Sequence, residues 1–375
     1  MKAQHLLISM ALASSLLYGT TASSSAAVRG SKAAQPQGTQ QTVPAEPNVI
    51  VSLCIASGNI NVRGWERNEV QARSADAQAI ELRRASASTT GPASRIEVMV
   101  ADPADGPEAR VGNCSAFSDI ELNVPRGAIV QLQTRDGDIN VSDVAEARVE
   151  AQSGDIDLNH VTRLVEARAL SGDITLRDSS GRVQLGSVSG SVEATNVRSI
   201  TPGDDFEAGT VSGDVILKGV GHAQVHAKSV SGSLNMDGSL ARGGRYDFKT
   251  MSGDVLLNMP ADSSFKVHAK VAQGGEIVSD FAITPTEETP QPGTVHAPKG
   301  STPPATPQTP RPAPAPRPAP RPASSASASA SAGGDQTPHA SSNSRVLERL
   351  NGIFGTGDAT LNLASFSGTV YLRRR

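Results

Sequence analysis

A short hexad, Ser-Gly-Asp followed by alternating apolar residues, recurs along this chain and restricts its fold more than any other feature. It reads Ser57-Gly58-Asn59-Ile60-Asn61-Val62, Asp136-Gly137-Asp138-Ile139-Asn140-Val141, Ser153-Gly154-Asp155-Ile156-Asp157-Leu158 and Ser171-Gly172-Asp173-Ile174-Thr175-Leu176. It continues around Gly190, Gly213, Gly232, Gly253 and Gly368. From Gly137 to Gly253 the steps between glycines are 17, 18, 18, 23, 19 and 21 residues. A unit this short cannot bury its own apolar face, so copies must stack on one another. Glycine gives the turn its positive φ without steric cost, and the short polar neighbours bond the turn backbone.

Ahead of each turn the apolar residues alternate with period two: Val130, Leu132, Thr134; Ala147, Val149, Ala151; Phe206, Ala208, Thr210; Tyr246, Phe248, Thr250. These side chains are predicted to point inward, as are Ile156 and Leu158, or Val215 and Leu217, after the turn. Each coil then has two short strands and two turns, and neighbouring coils pair at about 4.8 Å. Crossovers between parallel strands are overwhelmingly right-handed. The expected fold is all-β: a single-stranded right-handed parallel β-helix, or β-solenoid, of about ten coils. Aromatic residues are only 3% of the chain, which suits a thin aliphatic core.

The ends and one interruption depart from the repeat. Lys2, the apolar run Leu6 to Tyr18 and the small residues to Ala27 have the order of a secretory signal peptide, assigned to 1–27. Residues 28–48 read as a flexible linker and 49–284 as the solenoid, whose first part to Val124 is less regular, as terminal coils usually are. The stretch 285–344 is rich in Pro, Ala and Ser and cannot build a core, so it reads as a disordered insertion. In 345–375 the spacing of Val346, Leu347, Leu350, Ile353 and Phe354 predicts a short helix, and Leu361, Leu363 and Gly368 predict a final coil that docks back on the stack.

Export implies a periplasmic or cell-surface location. The apolar segment at the start is short for a membrane span and none later is longer, so no transmembrane segment is expected after cleavage. Net charge is −3, or −4 without Lys2, which offers no basic field for nucleic acid. Cys54 and Cys114 either pair, closing a loop of about 60 residues typically worth about 2–4 kcal/mol, or stay separate thiols.

These residues resemble the bacterial putative-adhesin β-solenoid family, exported domains of unknown function. The resemblance covers Val49 to Thr284 and Gly355 to Arg373. It rests on Ser57-Gly58-Asn59-Ile60-Asn61-Val62-Arg63-Gly64-Trp65, on Ile120-Glu121-Leu122-Asn123-Val124-Pro125, and on the repeated hexads. It implies a β-solenoid of the cell envelope, and the insertion departs from the family pattern.

Asp138, Asp155, Asp173, Asp214 and Asp254 share one position in the coil, interrupted by Ser191 and Ser233. They serve either as turn residues, which Asp beside Gly favours, or as a carboxylate edge for Ca²⁺ or a basic ligand. His226, between inward Val225 and Ala227, should face solvent, while His160 and His222 fall in turns and read as surface histidines. Right-handed β-helices also carry polysaccharide-cleaving enzymes, for which Asp157 with Glu166, or Glu193 with Glu207, are the carboxylate pairs that stacking could join. Coils of about 18 residues leave little room for a cleft. No catalytic residue, cofactor or metal ligand is nominated. Arg311, Arg317, Arg321 and Arg373 to Arg375 are small basic groups that either touch anionic envelope components or only solubilise the chain. The functional expectation is a non-enzymatic exported module that binds a cell-envelope glycan or protein, or acts as a scaffold. The alternatives are an envelope-stress regulator working through a membrane partner and a polysaccharide-acting enzyme. Val215→Asp with Leu217→Asp should unfold or fray the middle coils, since each buried unpaired charge costs several kcal/mol. His226→Ala should shift the thermal midpoint little, so a large loss there would invert the inward register.

Overall fold

The computed structural model describes residues 40–286, apart from 76–78, 86–90, 102–113 and 115, together with 349–375. The assigned signal peptide, the linker up to residue 39 and nearly all of the Pro-rich stretch lie outside the described residues. Every regular element among the described residues is a strand. The strands alternate in length: eight residues up to each turn, as in Leu164–Ser171, then four after it, as in Ile174–Arg177. Long strands pair only with long ones and short with short, so two parallel ladders enclose one core.

The inward alternation is that of the sequence. Val130, Val149, Phe206, Tyr246, Val215 and Leu217 are all essentially without solvent exposure. Ahead of the turn the last inward residue is a hydroxyl in five neighbouring coils, which donates to the turn-glycine carbonyl one coil away: Ser187 to Gly172, Thr210 to Gly190, Ser229 to Gly213, Thr250 to Gly232 and Ser365 to Gly253, at 2.8–3.2 Å. A polar group at the core margin is thereby satisfied.

The turn glycine is demanded by two separate constraints. At Gly172 φ is 142°, and a Cβ there would collide with the Gly154 carbonyl oxygen of the coil next to it. Its N–H donates to the Ser189 carbonyl of the coil on the other side at 2.9 Å. The corner after each short strand uses different residues for the same left-handed geometry: Asp143, His160, Asp178 and Asn196 have φ between 47° and 59°, and Gly219 follows at 64°. Asp and Asn, with His, are the non-glycine residues that tolerate this region best.

Spatial order departs from chain order at both ends. The coil Gln40–Ser57 and Ile60–Trp65 lies between Ala93–Ala101 with Ile120–Pro125 on one side and Ile129–Asp136 with Ile139–Ser142 on the other. At the opposite end Ala359–Ser367 and Val370–Arg374 pair with Arg245–Ser252 and Val255–Met259 on one side, and with Phe265–Val271 and Ile277–Ser279 on the other. The last coil in sequence is thus inserted within the stack.

Antiparallel strands close both ends, so the sheet is mixed rather than parallel throughout. Glu69–Ser74 and Ala79–Arg84 cover one end. Arg349–Phe354 covers the other, antiparallel to Phe265–Val271. This corrects the short helix expected there: the open edge of Phe265–Val271 has backbone groups to satisfy, and only a strand meets them. Phe354 joins Phe265 and Phe281 with ring centroids 4.9–5.7 Å apart, and the Arg374 guanidinium lies over Phe281 and Phe354. The linker also ends earlier than expected, because Gln40–Pro44 already pairs with Glu69–Arg73.

Two glycine substitutions separate turn geometry from open sheet. Gly172→Ala should cost roughly 1–3 kcal/mol. Gly186 sits in a strand interior where an added Cβ would have no atom within 4 Å, so Gly186→Ala should be neutral or stabilising by about 0.5 kcal/mol. Denaturant unfolding of the two variants measures the contrast.

Candidate functional site: the turn edge and the polar groove

The aspartates of the turn commit one carboxylate oxygen to the neighbouring coil. Asp138 Oδ1 accepts the Asp155 N–H at 2.9 Å, Asp155 the Asp173 N–H at 2.8 Å, and Asp173 the Ser191 N–H at 2.7 Å. Asp214 and Asp254 do the same for Ser233 and Thr369, both at 2.7 Å. The series begins with Asp119, outside the hexads, and with Asn59 of the first hexad. Where Ser191 replaces Asp, its hydroxyl accepts the Asp214 N–H at 3.3 Å. The bonds to Asp are charge-assisted, and those to Asn59 and Ser191 are neutral bonds to the same backbone donors. The column therefore acts first as a coil-to-coil clamp, and among the described residues no three His, Cys, Asp or Glu side chains gather to hold a metal.

The outer face of the short-strand ladder holds a polar groove of about 590 Å³. Stacking aligns Asn123, Arg63 and Ser142 in one row, and Glu121, Asn61, Asn140 and Asp157 in another. Arg177 donates to Asp157 at 3.3 Å and Asn123 to Gln71 at 3.1 Å. Asn159 Oδ1 is buried at the groove without a hydrogen-bond partner. Amides that both donate and accept, beside guanidinium groups that only donate, suit a hydroxyl-rich ligand.

A second groove, about 430 Å³, lies on the long-strand ladder beside the disulfide that joins Cys54 and Cys114, whose Cα atoms are 4.8 Å apart. Its charged walls are Glu97, Arg148, Glu150 and Glu166. Arg168 lies 2.8 Å from Glu166 and 3.6 Å from Glu150, so these carboxylates already have cation partners.

The carboxylate pairs suggested by stacking are not brought together. Asp157 and Glu193 are on the short-strand ladder, Glu166 and Glu207 on the long one, and all four point outward from opposite faces. Each also has a cation within 3.4 Å: Arg177, Lys218, Arg168 and Lys228.

The Toastrack DUF4097 family model matches residues 36–215 and, overlapping, 148–301. The chain belongs to this family. A model that fits in two overlapping places is what a stack of like coils produces, and the Toastrack repeat agrees with the all-β solenoid described above. No curated protein matches. Among solved structures, a putative cell adhesion protein from Clostridium sporogenes ATCC 15579 is 10% identical, covering 90% of this chain and 100% of its own, with a TM-score of 0.21, too slight a likeness to carry an argument.

Within this Toastrack domain one histidine is placed differently from expectation. His222 is fully buried against Phe206, with ring centroids 5.5 Å apart, rather than lying on the surface. Its Nε2 is 2.7 Å from the Gly181 carbonyl oxygen, which requires the proton on Nε2 and leaves Nδ1 as a buried lone pair without a partner. The sequence signal was weak, because Gly221 and Ala223 around it read as loop. His226 is on the outer face, where its Nδ1 is 3.3 Å from Asp247. Asp247 also accepts from Arg245 at 2.9 Å and Asn362 at 2.7 Å. Burial alone would raise the Asp247 pKa, but these donors and the Arg245 charge together hold it below the ordinary aspartate value.

Burial lowers the His222 pKa, against the opposing pull of the Gly181 carbonyl and of Asp204 and Asp205. The unfolded chain takes up this proton at about pH 6.5, the folded chain only at lower pH. Its contribution to stability is therefore complete above that pH and declines as the pH falls below it. Thermal midpoints should drop as the pH falls below about 6.5, and His222→Leu should flatten that slope.

Proposed function

We propose that this chain is an exported, non-enzymatic binding or scaffold module of the bacterial cell envelope, acting in the periplasm or at the cell surface. On the crossover rule its solenoid is right-handed, with about ten coils. The observation that carries the reading is the groove lined by Asn61, Asn123, Asn140, Asn159, Arg63 and Arg177. The paired strands fix the spacing of the rows, and Asn123 and Arg177 are further held by Gln71 and Asp157, so a ligand meets a partly preorganised surface. That chemistry favours a glycan of the envelope, whose hydroxyls match paired amide donors and acceptors. Membership of the Toastrack family is consistent with such a role, and the likeness of the opening coil to putative adhesins points the same way. No helix among the described residues is long and apolar enough to cross a membrane.

The test is binding of the chain to peptidoglycan, lipopolysaccharide and a glycan panel, with the same panel assayed for released products. Saturable binding that Asn140→Ala weakens roughly three- to tenfold, the worth of one hydrogen bond, supports the module. Product release would replace it with an enzyme. Absence of binding to every member would favour the regulatory alternative, with a membrane protein as partner.

A further inference from the structure

One column of the long-strand ladder is apolar and faces solvent. Leu170, Val188, Val211, Val230, Met251 and Phe366 each stand immediately before the Ser of the turn, and each remains 42–57% exposed. The ladder register puts them side by side in six consecutive coils: Ser171 pairs with Ser189, Ser189 with Ser212, Ser212 with Ser231, Ser231 with Ser252 and Ser252 with Ser367. At about 4.8 Å per coil the stripe is about 24 Å long. Isolated exposed apolar residues need no explanation, but an unbroken row rimmed by charge marks an interaction surface.

The rim is arranged by sign. Two residues before the stripe, on the same outward face, stand Arg168, Lys228 and Lys249. Three residues after it, beyond the turn, stand Asp173, Asp214 and Asp254. The stripe is thus bordered by base on one side and acid on the other. Between the cations the column holds Gly186 and Gly209, in strand interiors where glycine is unfavourable. A Cβ at Gly186 would meet nothing within 4 Å and one at Gly209 only the Lys228 carbonyl at 3.6 Å, so this chain's own packing does not call for glycine at either place. Bare backbone beside an apolar ridge leaves room for another surface to approach.

We infer that this stripe is the contact between two copies of the chain, set side by side about a two-fold axis parallel to the stack. That operation lays the acid border of each copy on the base border of the other at equal coil height. Asp254 then meets Lys249 of the second copy, whereas Arg168 and Lys228 also carry Glu166 and Glu207 of their own chain. A two-fold axis across the stripe would instead oppose like charges. A bilayer surface has no use for alternate acid and base borders, and a neutral glycan none for an aliphatic ridge. A single ridge about 24 Å long is a narrow contact beside the roughly 800 Å² per partner of standard interfaces, so a weak dimer, dissociating in the micromolar range, is expected. The surface is on a different ladder from the polar groove, and the inference does not rest on what that groove binds.

Sedimentation velocity of the full chain from about 1 to about 200 µM tests the inference against that micromolar expectation. A reversible monomer–dimer equilibrium is expected. Val211→Lys with Val230→Asp, an opposite-charge pair on adjacent strands, should raise the dissociation constant about tenfold or more while changing the melting temperature little, since both side chains are largely exposed. Lys249→Glu should weaken the dimer, and mixing it with Asp254→Asn should restore part of it, because the heterodimer no longer opposes two carboxylates at that contact while Asn keeps an oxygen for the Thr369 N–H. A monomer at all concentrations would overturn the inference, as would a dimer indifferent to the two valine substitutions. So would a failed rescue between single variants that keep the parent melting temperature. Binding to anionic phosphatidylglycerol vesicles that the valine substitutions abolish, without self-association, would assign the stripe to lipid instead.

Discussion

The turn-to-turn hydrogen bonding of stacked coils is the constraint on which the rest depends. Three hydrogen bonds join each turn to the next: the glycine N–H donates to the carbonyl of the residue before the next turn glycine, the first strand N–H donates to the carbonyl of the next turn, as in Ile139 to Asp155 at 2.9 Å, and the next turn donates an N–H back to an Asp, Asn or Ser side chain. A side chain at the glycine would push the coils apart and break all three. Coil spacing is therefore set by backbone contact, and side chains fill whatever that spacing leaves.

A uniform spacing has consequences inside and outside. Inside, Val, Leu, Ala and a few rings such as Tyr246 and Phe248 stack in columns, and a thin core reaches complete burial with very few aromatics. Outside, any residue type repeated at one position in the coil becomes a row. The acid edge, the amide-lined groove and the apolar stripe all arise in this way, from local repeats multiplied by stacking rather than from loops folded into a pocket. Rows of this kind fit extended partners better than they fit the converging groups of a catalytic centre.

The ends pose the usual difficulty of a solenoid, because the last strand offers unpaired backbone to any other chain. Here both ends are turned by antiparallel strands, and one is further closed by Phe265, Phe281, Phe354 and Arg374. Beside the inserted C-terminal coil, Thr284–Pro285 and Arg349–Phe354 pair at one end of the solenoid. Closing the stack with a segment remote in sequence raises the share of long-range contacts, which slows folding.

The repeat, its turn residues and the inward face of nearly every strand were legible in the sequence, because a glycine under φ and contact constraints and a period-two apolar pattern are both local signals. The second corner was not, since Asp143, His160, Asp178, Asn196 and Gly219 share a conformation but no residue type. The mistaken helix at Arg349–Phe354 has a physical cause: its apolar spacing fits helix or strand, and the open edge of Phe265–Val271 decided between them. The sequence alone puts His222 at the surface, because its burial depends on Phe206 and Gly181, residues that only stacking brings beside it. The sequence alone determined that the chain coils and which side chains it buries. Only the tertiary structure decided the order of the coils, how the ends are sealed and which outward residues form continuous rows, because each of these depends on which coils become neighbours.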